Sequence, residues 1–281
     1  MIHAITYDLR SEYNDLIEDM YRARHRLYVE GRKWRELAKA DGREIDQFDT
    51  ENAIYLLALN KNRELRGGVR LVPSTSPHLL DTIFPQFCAN DIPRGTHIWE
   101  MSRLFVSHND RYGEEGVLLK GEIFCGLLEF AARNGITEIT GVSDSYFLPR
   151  LLEIGIVVRP LGIPKPYQSG EMVAFHIILH SGDIEKAQSH YGISGSVLLP
   201  LPGGPYGFPM EKSHLETFEL ETALDSEGDL ASEFRSIVPL LATGDARKLA
   251  DAERQLDDLT ARVRQKISEA KGLQSIGGAL N

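Results

Sequence analysis

The sequence predicts an α/β sandwich with a largely antiparallel, centrally split sheet flanked by helices. Apolar segments of strand length alternate with segments of helical periodicity through the first two hundred residues. Their order is strand, helix, strand hairpin, strand, helix, strand, helix, strand, which favours a mixed sheet covered by helices. The chain has 281 residues, of which 42% are hydrophobic and 26% charged, enough for one large domain and an appendage.

The first strands are predicted from short apolar segments that end at polar turns. "IHAITY" (residues 2–7) predicts a strand, and residues 11–30 carry apolar side chains near helical spacing. "AIYLLAL" (residues 53–59) and "RGGVRLV" (residues 66–72) predict two more strands. The polar segment "NKNRE" between them is typical of a hairpin turn.

The elements that follow alternate between strand and helix. "HIWEMSRLFV" (residues 97–106) predicts a strand, and "LLKGEIFCGLLEFAARNG" (residues 118–135) predicts a long helix that ends at its Asn-Gly pair. "ITEITGVS" (residues 136–143) predicts a strand and "YFLPRLLEIG" (residues 146–155) a helix. "EMVAFHIIL" (residues 171–179) predicts the final strand.

The composition changes near residue 195, which indicates three regions. Residues 1–194 form the predicted domain, and residues 195–210 are rich in Pro and Gly and indicate a linker or a wrapping segment. Residues 211–281 form an acidic tail that ends in a predicted helix. Apolar residues recur at three-four spacing along that helix, so it predicts either a short coiled coil that joins a homodimer or a helix docked on its own domain.

Composition also excludes several classes of function. The chain has two cysteines, which favours a reducing, cytoplasmic location without a disulfide framework. A net charge of −10 disfavours a general nucleic-acid binder, and no apolar run is long enough to span a membrane. No metal-binding motif and no common nucleotide-binding fingerprint occurs, so we expect neither a metal site nor a bound cofactor.

Charged residues interrupt two otherwise apolar strands. Arg70 lies within the second strand of the hairpin, and Glu100 and Arg103 lie within the next strand. The long polar loop before the hairpin supplies two carboxylates three residues apart, Asp46 and Asp49. Burial of such charges is costly unless they are paired or used. The residues therefore indicate either a structural ion-pair cluster or a site for a charged substrate.

An ordered set of motifs resembles a known family, the acyl-homoserine-lactone synthases. Arg24, Tyr28 and Trp34 match its opening R-x-x-x-F-x-x-x-x-x-W, with Tyr in the place of Phe. "EIDQFD" matches its E-x-D-x-x-D, "GGVRLVP" carries its strand arginine, and "WEMSRLFV" matches W-E-[LM]-S-R-[FL]-x-V. The resemblance covers roughly residues 1–180, and no counterpart of the tail beyond about residue 195 is identified.

This resemblance implies a GNAT-like acyltransferase fold and a two-step reaction. The amine of S-adenosylmethionine (SAM), a substrate and not a cofactor, would attack an acyl thioester that is usually carried by acyl carrier protein. The homoserine carboxylate would then displace methylthioadenosine and close the lactone. A carboxylate within an apolar strand suits general-base work, which makes Glu100 the candidate base. Backbone N–H groups bared by a bulge where the sheet splits would stabilise the oxyanion.

The resemblance also assigns residues to the two substrates. The candidate SAM-binding residues are Arg24, Tyr28, Trp34, Asp46, Asp49, Arg70, Ser102 and Arg103. The candidate residues of an acyl pocket are Phe84, Phe105, Thr140, Val142 and Leu152, and for each one an ordinary core position is the simpler interpretation. A hydroxyl at Thr140 is associated in the family with 3-oxo-acyl chains, although a β-branched strand residue needs no such role.

The donor is the least determined part of the sequence-based hypothesis. Glu114 and Glu115 occupy the stretch where GNAT enzymes cradle the pyrophosphate of CoA, which disfavours that mode of CoA binding without excluding acyl-CoA. Acyl carrier protein is acidic, and Arg150, Arg159 and Lys165 form a candidate docking patch. Two alternatives stay open: a CoA-dependent N-acyltransferase that acts on another amine, and an interaction module with a decayed synthase domain.

Overall fold

The computed structural model describes residues 1–107, 113–168 and 170–199, together with residues 251, 254, 255, 258 and 262. The chain divides into two units between Pro209 and Met210. Most of the predicted linker, acidic tail and terminal helix lies outside the described residues. The three-region division and the dimer through the C-terminal helix therefore stay predictions.

Eight strands form one mixed sheet in the first unit. In chain order they are β1 (Ile2–Ile5), β2 (Ile54–Leu59), β3 (Leu65–Pro73), β4 (Ile98–Val106), β5 (Glu138–Asp144), β6 (Val157–Pro160), β7 (Lys165–Tyr167) and β8 (Gly170–Ile178). The order across the sheet is β1-β2-β3-β4-β5-β8-β6, and β7 pairs with the other half of β8. Every pair is antiparallel except β4 with β5, which confirms the predicted, mostly antiparallel sheet.

Helices cover both faces of this sheet. They are α1 (Asn14–Arg24), which continues as a π-helical stretch (His25–Gly31), α2 (Leu79–Thr82), α3 (Gly113–Arg133), α4 (Phe147–Ile154) and α5 (Asp183–Tyr191). Adjacent residues of β2 join different cores, because Leu56 packs in the cluster of α3 and Leu57 in the cluster of α1. A strand that is buried on both faces has a continuous apolar sequence, and "IYLLAL" of β2 is an example.

The structure adds elements that the sequence analysis misses. The short strands β6 and β7 and the helices α2 and α5 were not predicted, and α3 is already helical at Gly113, five residues before its predicted start. β6 carries no fully buried residue, and α5 buries only Asp183 and Ala187, so neither has an apolar pattern to read. Of the described helices, none is long and apolar enough to cross a membrane.

A buried glutamate attaches the end of the described domain to its helical layer. The carboxylate of Glu129, on α3, accepts hydrogen bonds from the backbone N–H groups of Val197 and Leu198, both at 3.0 Å, and from the Ser196 hydroxyl at 2.5 Å. The same segment pairs with Ile2 at the edge of the sheet. Residues 196–199 therefore continue the core of the first unit.

We expect Glu129→Ala to lower the free energy of unfolding by about 2–3 kcal/mol, since it leaves two buried backbone N–H groups without an acceptor. Urea denaturation of the full chain measures this loss. Glu153→Ala, at an exposed position of α4, is the control and should change the midpoint little. Equal midpoints for the two variants would contradict the attachment.

Candidate active site

The sheet splits between its two parallel strands. Pairing of β4 with β5 runs from Ile98–Glu138 to Glu100–Thr140 and stops there. β4 continues to Val106 alongside β3, and β5 continues to Asp144 alongside β8. A cavity of about 460 Å³ lies between the diverging strands and is lined by both of them.

Three of the five predicted acyl-wall residues line this cavity, namely Phe84, Phe105 and Val142. Leu152 does not, and its assignment is corrected: the side chain is 56% exposed, because α4 turns Leu151 inward instead. Thr140 is fully buried but is not in the lining, and its hydroxyl oxygen has no hydrogen-bond partner. Thr140 belongs to the last residue pair before the strands diverge.

A β-bulge in β4 aims two consecutive side chains at one place. The register shifts between the pairs Gly68–Phe105 and Arg70–Ser102, so Arg103 and its successor have no regular partner on β3. Arg103 adopts a positive φ of 55°, which is uncommon for a residue with a side chain. Side chains of successive strand residues normally point to opposite faces, yet Ser102 and Arg103 both contact the polar cluster described next.

Three arginines and three carboxylates form a buried ion-pair cluster. Its members are Arg24, Glu44, Asp46, Asp49, Arg70 and Arg103. Each carboxylate contacts two of the arginines, and each arginine contacts two of the carboxylates. The cluster is therefore neutral in sum. It contains the three arginines and two of the three carboxylates expected to pair with them, and Glu44 takes the place expected for Glu100.

The contacts of the cluster are short, and three of its six ion pairs are bidentate. The Arg24 guanidinium donates to both oxygens of Asp49 at 2.8 and 2.9 Å and to Glu44 at 2.5 Å. Arg70 donates to both oxygens of Asp46 at 2.5 and 3.0 Å. Arg103 joins Glu44 at 3.0 Å to Asp46 at 2.7 Å. Bidentate pairs of this kind fix orientation as well as charge.

Pairing outweighs burial at the carboxylates of the cluster. Burial alone would raise the pKa of Asp49, but Arg24 and Arg70 hold that pKa well below its usual range. The same balance lowers the pKa of Asp46, where the opposing cations are Arg70 and Arg103. Both groups therefore stay ionised at neutral pH, and neither is a strong base.

Only the outer edge of the cluster reaches the cavity. Asp46, Ser102 and Arg103 are in its lining, whereas Arg24 and Asp49 lie behind them and are at most 1% exposed. The sequence analysis missed Glu44, although it is the first letter of the quoted "EIDQFD". Its position two residues before Asp46, within the same motif, could have identified it as a third carboxylate of the cluster.

Aromatic side chains form one side of the cavity. Tyr28 and Trp34 stack with ring centroids 5.2 Å apart, and Trp34 meets the edge of Tyr167 at 6.2 Å. The Tyr28 hydroxyl donates to the backbone carbonyl of Leu104 at 2.8 Å. This bond joins the π-helical stretch to the bulged part of β4, and the partly buried Trp34 lines the cavity.

An ion pair lies in the lining of the cavity. Arg32 donates to Asp144 at 2.7 Å, and the Tyr146 hydroxyl donates to the same carboxylate oxygen at 3.0 Å. These three residues also line a more open depression of about 650 Å³ that adjoins the cavity. The sequence analysis missed Arg32 and Asp144, because no motif distinguishes them from ordinary surface charges.

Glu100, the candidate base that we expected beside the reacting groups, is not in the lining of the cavity. Its side chain is fully buried, and its carboxylate accepts hydrogen bonds from the backbone N–H groups of Leu79 at 2.8 Å and Leu80 at 2.6 Å. Burial raises the pKa of Glu100, and the two backbone N–H groups and His78 oppose that shift. The physical reason for the correction is that α2 lies over this part of β4 and takes up both carboxylate oxygens.

The residues of the predicted docking patch have different surroundings. Arg150 lines the cavity and lies over the Tyr146 ring at 5.3 Å, Arg159 is exposed on β6, and the Lys165 ammonium donates to the backbone carbonyl of Gln86. Glu114 and Glu115 are exposed in the first turn of α3. Among the described residues, no group of three or more His, Cys, Asp or Glu side chains is placed to hold a metal ion.

We expect the ion-pair cluster to make stability fall in acid. Carboxylates whose pKa is lowered by folding stabilise the fold above their unfolded pKa of about 4, and this contribution is lost as pH falls toward the folded values. Asp49→Asn should lower the free energy of unfolding at pH 7 by about 3–5 kcal/mol, because it leaves the buried cluster with a net positive charge and Arg24 and Arg70 with one carboxylate each.

Urea titrations of wild type and Asp49→Asn between pH 7 and pH 3 measure both effects. The difference between the two proteins should shrink below about pH 4, because unfolded wild type binds a proton at Asp49 there while the folded cluster keeps this carboxylate ionised, and the variant has no such group. A difference that stays constant down to pH 3 would contradict this assignment. Asp41→Asn, at an exposed pair with Arg43, is the control and should behave as wild type.

Comparison with known proteins supplies the family. Residues 8–187 match the family described as "Autoinducer synthase". The isovaleryl-homoserine lactone synthase of Bradyrhizobium diazoefficiens is 35% identical over 198 residues, which cover 70% of this chain and 88% of that protein. An acyl-homoserine-lactone synthase of Pseudomonas fluorescens is 33% identical over 181 residues, which cover 63% of this chain and 88% of that protein.

Two solved structures are similar in both fold and sequence. The CoA-dependent acyl-homoserine lactone synthase BjaI, solved with SAM and isopentyl-CoA, has a TM-score of 0.67 and 32% identity and covers 78% of this chain and 99% of its own. The CoA-dependent synthase MesI has a TM-score of 0.65 and 35% identity and covers 70% of this chain and 98% of its own. The chain therefore belongs to the autoinducer synthase family and is an acyltransferase of the acyl-homoserine-lactone synthase class.

Proposed function

We propose that this chain transfers an acyl group from a CoA thioester to the amine of SAM and then closes the lactone ring. The amine nitrogen attacks the thioester carbonyl, the carbon–sulfur bond breaks, and the CoA thiol leaves. The SAM carboxylate then attacks the carbon next to the sulfonium, and methylthioadenosine leaves with the electron pair of the broken bond. The observation that carries this proposal is the cavity between the diverging strands in a chain of this family.

The cavity suits a reaction that develops negative charge on a carbonyl oxygen. Beyond Glu100 the backbone of β4 no longer pairs with β5, so polar groups on that edge are available to a substrate. Backbone N–H groups that are fixed before the reaction stabilise a tetrahedral oxyanion effectively. The bulge at Arg103 further frees β4 from its regular pairing with β3.

The surroundings of the cavity favour loss of the amine proton to solvent. An α-amino group has a pKa of about 8, so a useful fraction is neutral near pH 7.5. Asp46 lines the cavity, but its lowered pKa makes it a weak base, and its oxygens are bound by Arg70 and Arg103. Asp46 instead offers negative charge toward the cationic substrate, and Trp34 offers an aromatic face to the sulfonium.

Acyl-CoA is the proposed donor, with acyl carrier protein as the alternative that the sequence analysis expected. Two similar synthases are described as CoA-dependent, and Arg32, Lys120 and Arg150 bring positive charge to the cavity lining. The exposed Glu114 and Glu115 disfavour phosphate binding at the start of α3. We therefore place the CoA phosphates near the cationic lining and not at the start of α3.

The proposed reaction predicts which products the chain releases. Purified chain incubated with SAM and a series of acyl-CoA donors should yield acyl-homoserine lactone and methylthioadenosine in equal amounts by mass spectrometry. Trp34→Ala should lower the rate at least about tenfold, because a stacked aromatic wall is worth about 1–2 kcal/mol or more. Tyr7→Ala, at an exposed aromatic position, is the matched control. Acylation of a different amine without lactone would instead support the general N-acyltransferase.

A further prediction distinguishes acyl-CoA from acyl carrier protein as the donor. If CoA phosphates contact Arg150, then Arg150→Glu should raise KM for acyl-CoA roughly two- to fivefold or more and leave KM for the phosphate-free acyl-pantetheine unchanged. KM for SAM should not change. Arg159→Glu is the control for surface charge on β6. Two results together would identify acyl carrier protein as the donor instead. Wild type would turn over acylated carrier protein faster than acyl-CoA, and Arg159→Glu and Lys165→Glu would raise KM for the carrier protein.

A further inference from the structure

The buried carboxylate of Glu100 connects β4 to the segment that forms one wall of the cavity. Both of its oxygens are bound by α2, through the N–H groups of Leu79 and Leu80. The first residue of α2 and the two that follow the helix, Leu79, Ile83 and Phe84, line the cavity. Glu100 itself is absent from the lining and has no exposed surface.

Leu79, Leu80 and Phe84 belong to an apolar cluster that also contains residues of β8, but few polar contacts of the described residues fix the wall segment. α2 has four residues, too short to hold its shape by helical hydrogen bonds alone. Asp81 accepts from the backbone N–H of His78 at 2.9 Å and pairs with Arg94, but both contacts are within the same excursion of the chain between β3 and β4. The bonds to Glu100 are the ones that join the first turn of α2 to the sheet.

Glu100 lies at the point of β4 where a movement of α2 would change the shape of the cavity. Glu100 pairs with Val72 on one side and Thr140 on the other, in the last row before β4 and β5 diverge. A shift of α2 relative to this row would move Leu79 and Phe84 into or out of the cavity. Phe84 also meets the edges of Phe87 and Tyr167, with centroids 5.6 and 5.3 Å away, so its displacement would reach the aromatic side of the site.

We propose that Glu100 is a positioning residue whose carboxylate fixes the Leu79–Phe84 wall and thereby determines how the acyl chain of the donor fits. The inference rests on the proposed function and deepens it. A general base must lie within hydrogen-bond reach of the proton that it removes, either directly or through one water. Glu100 instead uses both oxygens on backbone N–H groups and is enclosed by protein.

The test alters the hydrogen bonds between Glu100 and α2 first at the acceptor and then at a donor. In Glu100→Gln one acceptor oxygen becomes an N–H₂ group that faces a backbone N–H. Leu79→Pro removes a donor N–H from the other end, and proline is tolerated at the first position of a helix. Leu79→Ala loses the same leucine side chain and keeps the N–H, so it is the matched control for Leu79→Pro. Thermal unfolding of each variant identifies any that fails to fold.

We expect Glu100→Gln and Leu79→Pro to share one kinetic pattern, which Leu79→Ala shows to a clearly smaller extent because it truncates the same cavity-lining side chain but keeps the N–H. The preference in kcat/KM for the best acyl donor over one two methylenes longer should fall about tenfold, since a pocket discriminates methylenes through the fit of its walls. KM for the best donor should rise, whereas kcat at saturation and the dissociation constant of SAM should stay within about fivefold of wild type. The acidic limb of the kcat profile should be unchanged.

Two kinetic results would overturn the positioning role of Glu100. A loss of kcat of about 10²-fold or more in Glu100→Gln, equal for all acyl chains and with the acidic limb abolished, would identify Glu100 as the base and overturn the inference. Leu79→Pro that behaves as Leu79→Ala would overturn it independently, even if Glu100→Gln does not fold. Wild type that makes no acyl-homoserine lactone from any donor would refute the proposed function itself.

Discussion

The parallel pairing of β4 and β5 ends after three residue pairs, and the cavity exists because it ends there. Gly141 follows the last pair, and a Cβ at this position would lie 3.0 Å from the carbonyl oxygen of Met101 and 2.8 Å from the ring of Phe175. The close approach of Met101 and Phe175 at the start of the divergence therefore favours glycine at this position. Substrate can then reach strand edges that a continuous sheet would have paired.

The ion-pair cluster holds in place a loop that has little other structure. Residues 38–53 form neither helix nor strand, yet Glu44, Asp46 and Asp49 are at most 11% exposed. A buried cluster of this kind adds little net stability compared with an apolar core, because desolvation offsets most of the attraction. Its contribution is geometric, since each bidentate pair fixes the loop to β3, β4 or α1.

Much of this arrangement follows from sequence, and the rest depends on contacts that sequence does not specify. Charges inside apolar strands predicted the cluster, because an unpaired buried charge is too costly to keep. The partner of Glu100 was not predictable in the same way, since its ligands are backbone N–H groups that any residue could supply. The error at Leu152 has a simpler cause: "FLPRLLEI" is apolar on more than one face, so its buried side is ambiguous.

Backbone strain explains why the charged cluster suits this site better than an apolar one. The described non-glycine residues with positive φ are Lys33, Arg63, Arg103 and Gln168. Arg63 lies in the β2–β3 hairpin turn, whereas the other three line the cavity or the depression beside it. A left-handed residue costs about 1–2 kcal/mol, so the bulge at Arg103 would tend to relax into regular pairing.

That relaxation would change the whole inner end of β4, because a shift of one residue moves each following side chain to the opposite face. Phe105 and Val106 would then exchange places between the two cores. The pairs from the Arg103 guanidinium to Glu44 and Asp46 oppose this shift, and they are directional where apolar packing is not. The cluster therefore maintains the strained geometry that keeps the edge of β4 open to substrate.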